Sequence, residues 1–180
     1  DDQEQVIFYL IDEKWSAKKP AKEPTVEKTP QLAGPMIEAF NSGFIVVYGT
    51  GGGEQMADVC RQEALDFSDQ WKEWQHVPCR IKSDRDVTAQ DIQQDNLILI
   101  GNADCNRIVA RLNESLPIRC EDKSIRIDDE QFTTEHVGCA FIYPNPLNPA
   151  RYVLILAGNS AHAVFGMTRR IGFEFDYVIF

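Results

Sequence analysis

Three segments of the chain follow one pattern. Val46-Val-Tyr-Gly-Thr-Gly-Gly-Gly53, Leu97-Ile-Leu-Ile-Gly-Asn-Ala-Asp-Cys105 and Leu154-Ile-Leu-Ala-Gly-Asn-Ser-Ala-His162 each pass from an apolar run through glycine into small polar residues and a helical period. An apolar run without polar alternation is covered on both faces, as a central parallel strand is. Strands of this kind alternating with one-sided helices imply an α/β fold: an open, mostly parallel, three-layer sheet, flavodoxin-like or Rossmann-like. In such a sheet the three turns lie along the carboxyl edge, where ligands usually bind. Gly49, Thr50, Gly51, Gly52, Gly53, Gly101, Asn102, Gly158, Asn159 and Ser160 are therefore the candidate ligand-binding residues. The same residues also suit a ligand-free turn, because glycine permits the bend and Asn or Ser caps the next helix.

The segments between these turns fill in the expected order. Met56, Val59, Cys60, Ala64, Phe67, Trp71 and Trp74 fall at steps of three and four, which predicts a helix with all seven facing the core. Cys79–Lys82 reads as a short strand, and Thr88 followed by Asp91 as a helix start resembling a capping box. Asn96–Ile100 is a strand and Asn106–Leu116 its helix. Ile118–Phe132 alternates apolar and charged residues, predicting an antiparallel hairpin excursion. A strand over Cys139–Tyr143, a turn over Pro144–Pro149, a strand over Arg151–Ala157, a helix over Ser160–Arg170 and a strand over Phe173–Phe180 complete the chain. Upstream, Gln5–Trp15 reads as one strand, and the proline- and lysine-rich stretch Lys18–Pro35 as an extended linker. The division is an N-terminal extension over 1–36 and an α/β domain over 37–180.

Charge and motifs narrow the chemistry. A net charge of -10 opposes a nucleic-acid backbone or an anionic membrane surface. The longest apolar runs fall well short of the roughly 18 residues that span a bilayer. The first residues, Asp1-Asp-Gln-Glu4, have none of the marks of a signal peptide, which suits a cytosolic protein or a mature or excised fragment. Five widely spaced cysteines without a Cys-x-x-Cys pair read as buried, inert thiols. Against the dinucleotide fingerprint, Gly49 and Gly51 fit but Glu54 stands where a third glycine belongs. No lysine follows to meet a phosphate, and Glu54 repels an anion at the helix start. No cofactor is expected.

Nucleophilic catalysis finds no Gly-x-Ser-x-Gly elbow. Ser160 is the nearest candidate, but His162 lies two residues on, badly placed to act as its base, so helix capping is the better reading. His76 and His136 read as surface residues. Asp84, Asp86 and Asp91 form an acidic cluster that suits solvent better than a cation.

Taken together, Lys28-Thr-Pro-Gln-Leu-Ala-Gly-Pro-Met-Ile-Glu-Ala-Phe40, Phe44–Thr50, Asn96–Gly101 and Tyr143-Pro-Asn-Pro-Leu-Asn-Pro149 with Tyr152 carry a family resemblance. The chain resembles the C-terminal α/β region of large secreted bacterial hydrolases of the prolyl-oligopeptidase or esterase type. In that family a similar lead-in joins a β-rich part to a Rossmann-like module; here Met36 and Glu38 depart mildly from the pattern. The resemblance implies a noncatalytic accessory module, secreted or periplasmic, whose partner is a neighbouring hydrolase domain of the same polypeptide. It carries over no catalytic residue and no metal ligand. The competing expectation is a domain that binds a nucleotide, flavin or sugar at the three glycine turns.

Overall fold

The fold is described from a computed structural model covering residues 9–11, 14–16, 34–121 and 123–180. Tyr9–Ile11 (β1) pairs antiparallel with Lys14–Ser16 (β2), so the single strand expected there is a hairpin. The expected linker lies outside the described residues as far as residue 33. From Gly34 onward the chain runs β3 (Phe44–Tyr48), α1 (Glu54–Gln75), β4 (Arg80–Ser83), α2 (Ala89–Gln94), β5 (Asn96–Ile100) and α3 (Arg107–Leu112). Three short strands follow, β6 (Ile118–Cys120), β7 (Ile125–Ile127) and β8 (Glu130–Phe132). The last elements are β9 (Gly138–Asn145), β10 (Asn148–Gly158), α4 (Ala161–Val164), α5 (Met167–Arg170) and β11 (Tyr177–Ile179).

Six strands make the main sheet, in the order β11-β9-β10-β5-β3-β4. Strands β10, β5, β3 and β4 are mutually parallel, and β9 runs against both β10 and β11. Only β9 breaks the parallel set. The expected hairpin excursion is a separate three-stranded antiparallel sheet, β6-β7-β8.

The apolar runs explain why the central strands are covered twice. Ile45, Val47, Leu97, Leu99, Val153 and Ile155 point to one face, and Val46, Ile98, Ile100, Leu154 and Leu156 to the other, all with no exposed surface. Each such side chain contributes about 1.5–3 kcal/mol on burial. The first set packs on α3 and on Ile118, Cys120 and Ile125 of the small sheet. The second set packs on α1, α4, α5 and the short 3-10 turn Met36–Phe40. The result is three layers.

Local signals fixed the α2 start: Thr88 Oγ1 accepts the Asp91 N–H at 3.2 Å, and the Asp91 carboxylate accepts the Thr88 N–H at 2.7 Å. Elsewhere tertiary contacts overrode the pattern. The helix expected over Ser160–Arg170 breaks into α4 and α5 at Gly166, whose φ is +70°. The cause is Glu63, a carboxylate of α1 that is 1% exposed and accepts the N–H groups of Gly166 and Thr168 together with the Thr168 hydroxyl.

The strand expected over Phe173–Phe180 shortens to Tyr177–Ile179, because the carbonyls of Phe173 and Phe175 accept the N–H groups of Ile37 and Met36 instead. Strands β9 and β10 reach into the expected Pro144–Pro149 turn, leaving only Pro146 and Leu147 as the bend. Their register slips between Asn148 and Tyr152, next to Pro149, which has no N–H to give the ladder. Of the aromatic residues expected to face the core from α1, Phe67 is buried, Trp71 is half-buried among Phe40, Phe44 and Phe67, and Trp74 is 65% exposed. Among the described residues no helix is long and apolar enough to cross a membrane.

Candidate functional site

Because β10, β5, β3 and β4 are parallel neighbours, their carboxyl ends lie side by side and bring the three glycine turns into one row. The first two turns and the end of β4 are each hydrogen-bonded to the neighbouring strand. Gly101 N donates to Leu156 O and Gly49 N to Ile100 O, both at 2.9 Å, and Asp84 N donates to Tyr48 O at 2.9 Å. Asn102, 1% exposed, ties the second turn to the third: its Nδ2 donates to Gly158 O at 3.0 Å, and its Oδ1 accepts the Cys105 N–H.

The crevice between the first and second turns is occupied by the chain itself. Gly51 N donates to Cys105 O at 2.8 Å. A Cβ on Gly49 would lie 2.5 Å from Cys105 Sγ, and one on Gly51 would lie 2.8 Å from Asp104 O. Glycine at these two positions admits the Asp104–Cys105 backbone. Gly52 and Gly53 take φ values of +72° and +88° to bring the turn into α1.

Asp84 closes the same edge. It is 4% exposed; its Oδ1 accepts the Thr50 hydroxyl at 2.7 Å, and its Oδ2 accepts the Arg107 N–H at 2.9 Å, at the first residue of α3. Beneath it, Asn106 Nδ2 donates to Val47 O and Ile100 O, and its Oδ1 accepts the Ile108 N–H at 3.0 Å. The other two acids of the cluster are engaged as well. Asp86 accepts from Ser83 Oγ at 2.6 Å, and both Asp91 oxygens accept from Lys82 Nζ, at 2.9 and 2.7 Å. Burial alone would raise the Asp91 carboxyl, but Lys82 and the Thr88 N–H and hydroxyl outweigh it and hold the group at about 2. Among the described residues no group of three or more His, Cys, Asp or Glu is placed to hold a metal ion.

The third turn carries the most polar groups. Ser160 Oγ caps α4 by accepting the Ala163 N–H at 3.2 Å, as the capping reading expected, and lies 2.9 Å from His136 Nδ1. His136, not His162, is the histidine that reaches the serine. The His136 and His162 rings are 4.5 Å apart, and Glu135 Oε1 is 3.5 Å from His136 Nε2. The connectivity is that of a serine–histidine–carboxylate relay, but Glu135 is 86% and His136 43% exposed, so the set lies in solvent, where such bonds are weak. Asn159 N donates to Val137 O and its Nδ2 to Thr134 O, while its buried Oδ1 has no hydrogen-bond partner among the described residues.

Two further features were not legible in the sequence. Four of the five thiols meet in pairs: Cys60 with Cys105 at 3.6 Å between sulfurs, and Cys120 with Cys139 at 3.1 Å. Their separations of 45 and 19 residues gave no hint of it. An exposed apolar surface also surrounds the segment between α5 and β11, where Trp74, Phe175 and Phe180 are 65%, 64% and 41% exposed. Beside it a hollow of about 370 Å³ is lined by Phe40, Trp71, Trp74, Ile171 and Phe173. Ile171 also lines an adjoining hollow that holds Phe175 and Phe180. Comparison with protein-family models and with curated proteins finds no match for the chain.

Proposed function

We propose that this chain is a noncatalytic accessory module of a secreted bacterial hydrolase, seated on a neighbouring domain of the same polypeptide by its apolar surface around α5 and β11. The observation that carries this reading is the contrast between two surfaces. The carboxyl edge, where an open α/β sheet would bind a ligand, is filled between the first two turns by Asp104–Cys105 and by the Asp84 network. Trp74, Phe175 and Phe180, by contrast, stand exposed around two adjoining hollows that share Ile171 and Gly172, and exposed aromatics gathered in this way suit an interface between domains. The lead-in and Tyr152, which carry the resemblance to hydrolase accessory regions, are joined in the fold: Tyr152 Oη donates to Glu38 Oε2 at 3.0 Å. For the fold family, β4 and β5 flank β3 on opposite sides, which supports a flavodoxin-like over a Rossmann-like order.

Hydrogen exchange tests the reading, measured on this chain alone and within its complete polypeptide. Amides of residues 165–180 are expected to gain protection in the longer protein. Equal exchange in both, or a reading frame without a hydrolase domain, removes the proposal.

A second reading places a small ligand at the third turn. It is favoured by Asn159 Oδ1, a buried acceptor without a partner among the described residues, which a ligand donor would satisfy. Nucleotides, flavins and sugars test it by thermal shift, since a ligand at 100 times its dissociation constant stabilises by about 2.7 kcal/mol. An unchanged melting temperature at saturating concentrations of all three classes ends it.

A further inference from the structure

Cys120 on β6 and Cys139 on β9 belong to different sheets, and their sulfurs are 3.1 Å apart in the core that the small sheet shares with the main one. Both are closed off from solvent, at 1% and 0% exposure. Bonded sulfurs lie about 2.05 Å apart, so an approach of roughly 1 Å, within reach of small side-chain adjustments, joins them. The other pair, Cys60 and Cys105, sits at the longer separation of an ordinary thiol contact, 3.6 Å.

We propose that Cys120 and Cys139 form a structural disulfide that staples the three-stranded sheet to the six-stranded one. Where this happens rests on the secreted reading above, because such bonds persist in oxidising compartments. The oxidant is a small-molecule or protein disulfide. One cysteine thiolate attacks a sulfur of that disulfide and releases one of its thiols. The second cysteine thiolate then attacks the mixed disulfide and expels the other. The two protein thiols lose two hydrogens and two electrons, and the oxidant gains them as two thiols. In the folded chain, the contact with Cys139 and burial push the Cys120 thiol well up, so the exchange belongs to folding, before the two sheets close over the pair.

The test refolds the full chain in two buffers, one with oxidised and reduced glutathione and one with excess reductant. Free thiols are then alkylated in denaturant without reductant and the digest is weighed. In the glutathione sample the peptides bearing Cys120 and Cys139 are expected joined, two hydrogens lighter than their sum and unalkylated. Alkylation of both cysteines in that sample, or a bond from either to another cysteine, overturns the proposal. A Cys120→Ala/Cys139→Ala double variant supplies the second measurement. The parent is expected to melt roughly 5–10 °C higher in the glutathione buffer than in reductant, and the variant at one temperature in both. A parent whose midpoint ignores the buffer overturns the stapling role. Mass and melting read the bond, exchange protection of residues 165–180 reads the docking, and either can fail without the other.

Discussion

Glu63 and Thr168 meet across 105 residues: the Thr168 hydroxyl donates to Glu63 Oε2 at 2.9 Å, and the Thr168 N–H donates to the same oxygen at 3.2 Å. A carboxylate inside α1 thus supplies the acceptor that the start of α5 lacks within its own helix. Removing the acceptor strands two N–H groups and a hydroxyl away from water. Glu63→Ala is expected to cost about 3 kcal/mol, and Glu63→Gln, which keeps one carbonyl oxygen, roughly 1–2 kcal/mol. Urea unfolding midpoints check this; equal loss in both variants would mean that packing, not hydrogen bonding, sets the cost.

Gly49→Ala separates packing from ligand binding at the first turn. The new methyl would meet Cys105 Sγ at 2.5 Å and the Cys105 carbonyl at 2.9 Å, and the backbone there cannot swing aside as a side chain could. A destabilisation of roughly 1–3 kcal/mol is expected in the ligand-free chain. Unchanged stability in chemical denaturation would leave the glycine without a structural reason.

Ser160→Ala removes the α4 cap and the His136 contact together. The expected loss is about 1 kcal/mol, the usual cost of a serine cap. Ester and peptide hydrolysis by this chain, assayed before and after the change, is expected to be the same. Hydrolysis that vanished with Ser160 would make the His136–Glu135 relay functional.

Asp91 gives the pH dependence its direction. Its folded value of about 2 lies below the ordinary carboxylate value near 4, so its charged form stabilises the fold at neutral pH. That contribution is complete above about pH 4 and disappears as pH falls through about pH 2, and is on the order of 1–2 kcal/mol once screening at the partly exposed Lys82 is allowed for. Asp91→Asn is expected to flatten the acid limb of a stability–pH curve in that window. A curve with unchanged slope would assign the limb to other carboxylates.

The layered sheet was legible because its signals are local and redundant: Asn96–Ile100 reads as a buried strand from its five residues alone, and Thr88 with Asp91 as a cap from two. The same turns misled where a partner was distant. No window around Gly166 contains Glu63, so the helical period of Ser160–Arg170 read as unbroken. No spacing rule links Ser160 to His136, which reaches it from the loop before β9 while the nearer His162 does not. Cys105 was one of five scattered thiols until the fold laid it over Gly49 and Gly51. Pattern thus put the three glycine turns along one edge of the sheet, while the contacts between them depended on pairings as far as 59 residues apart.

The reversed strand β9 also bears on the order in which the chain can assemble. Strands β9 and β10 need only Pro146 and Leu147 to turn back on one another, so their ladder closes a very short loop. Strand β5 must instead find β3 and β10 across connections of dozens of residues. Loop-closure entropy favours the short connection first. The antiparallel hairpin is the natural early unit, offering β10's free edge as the template on which β5, and then β3 and β4, add in parallel.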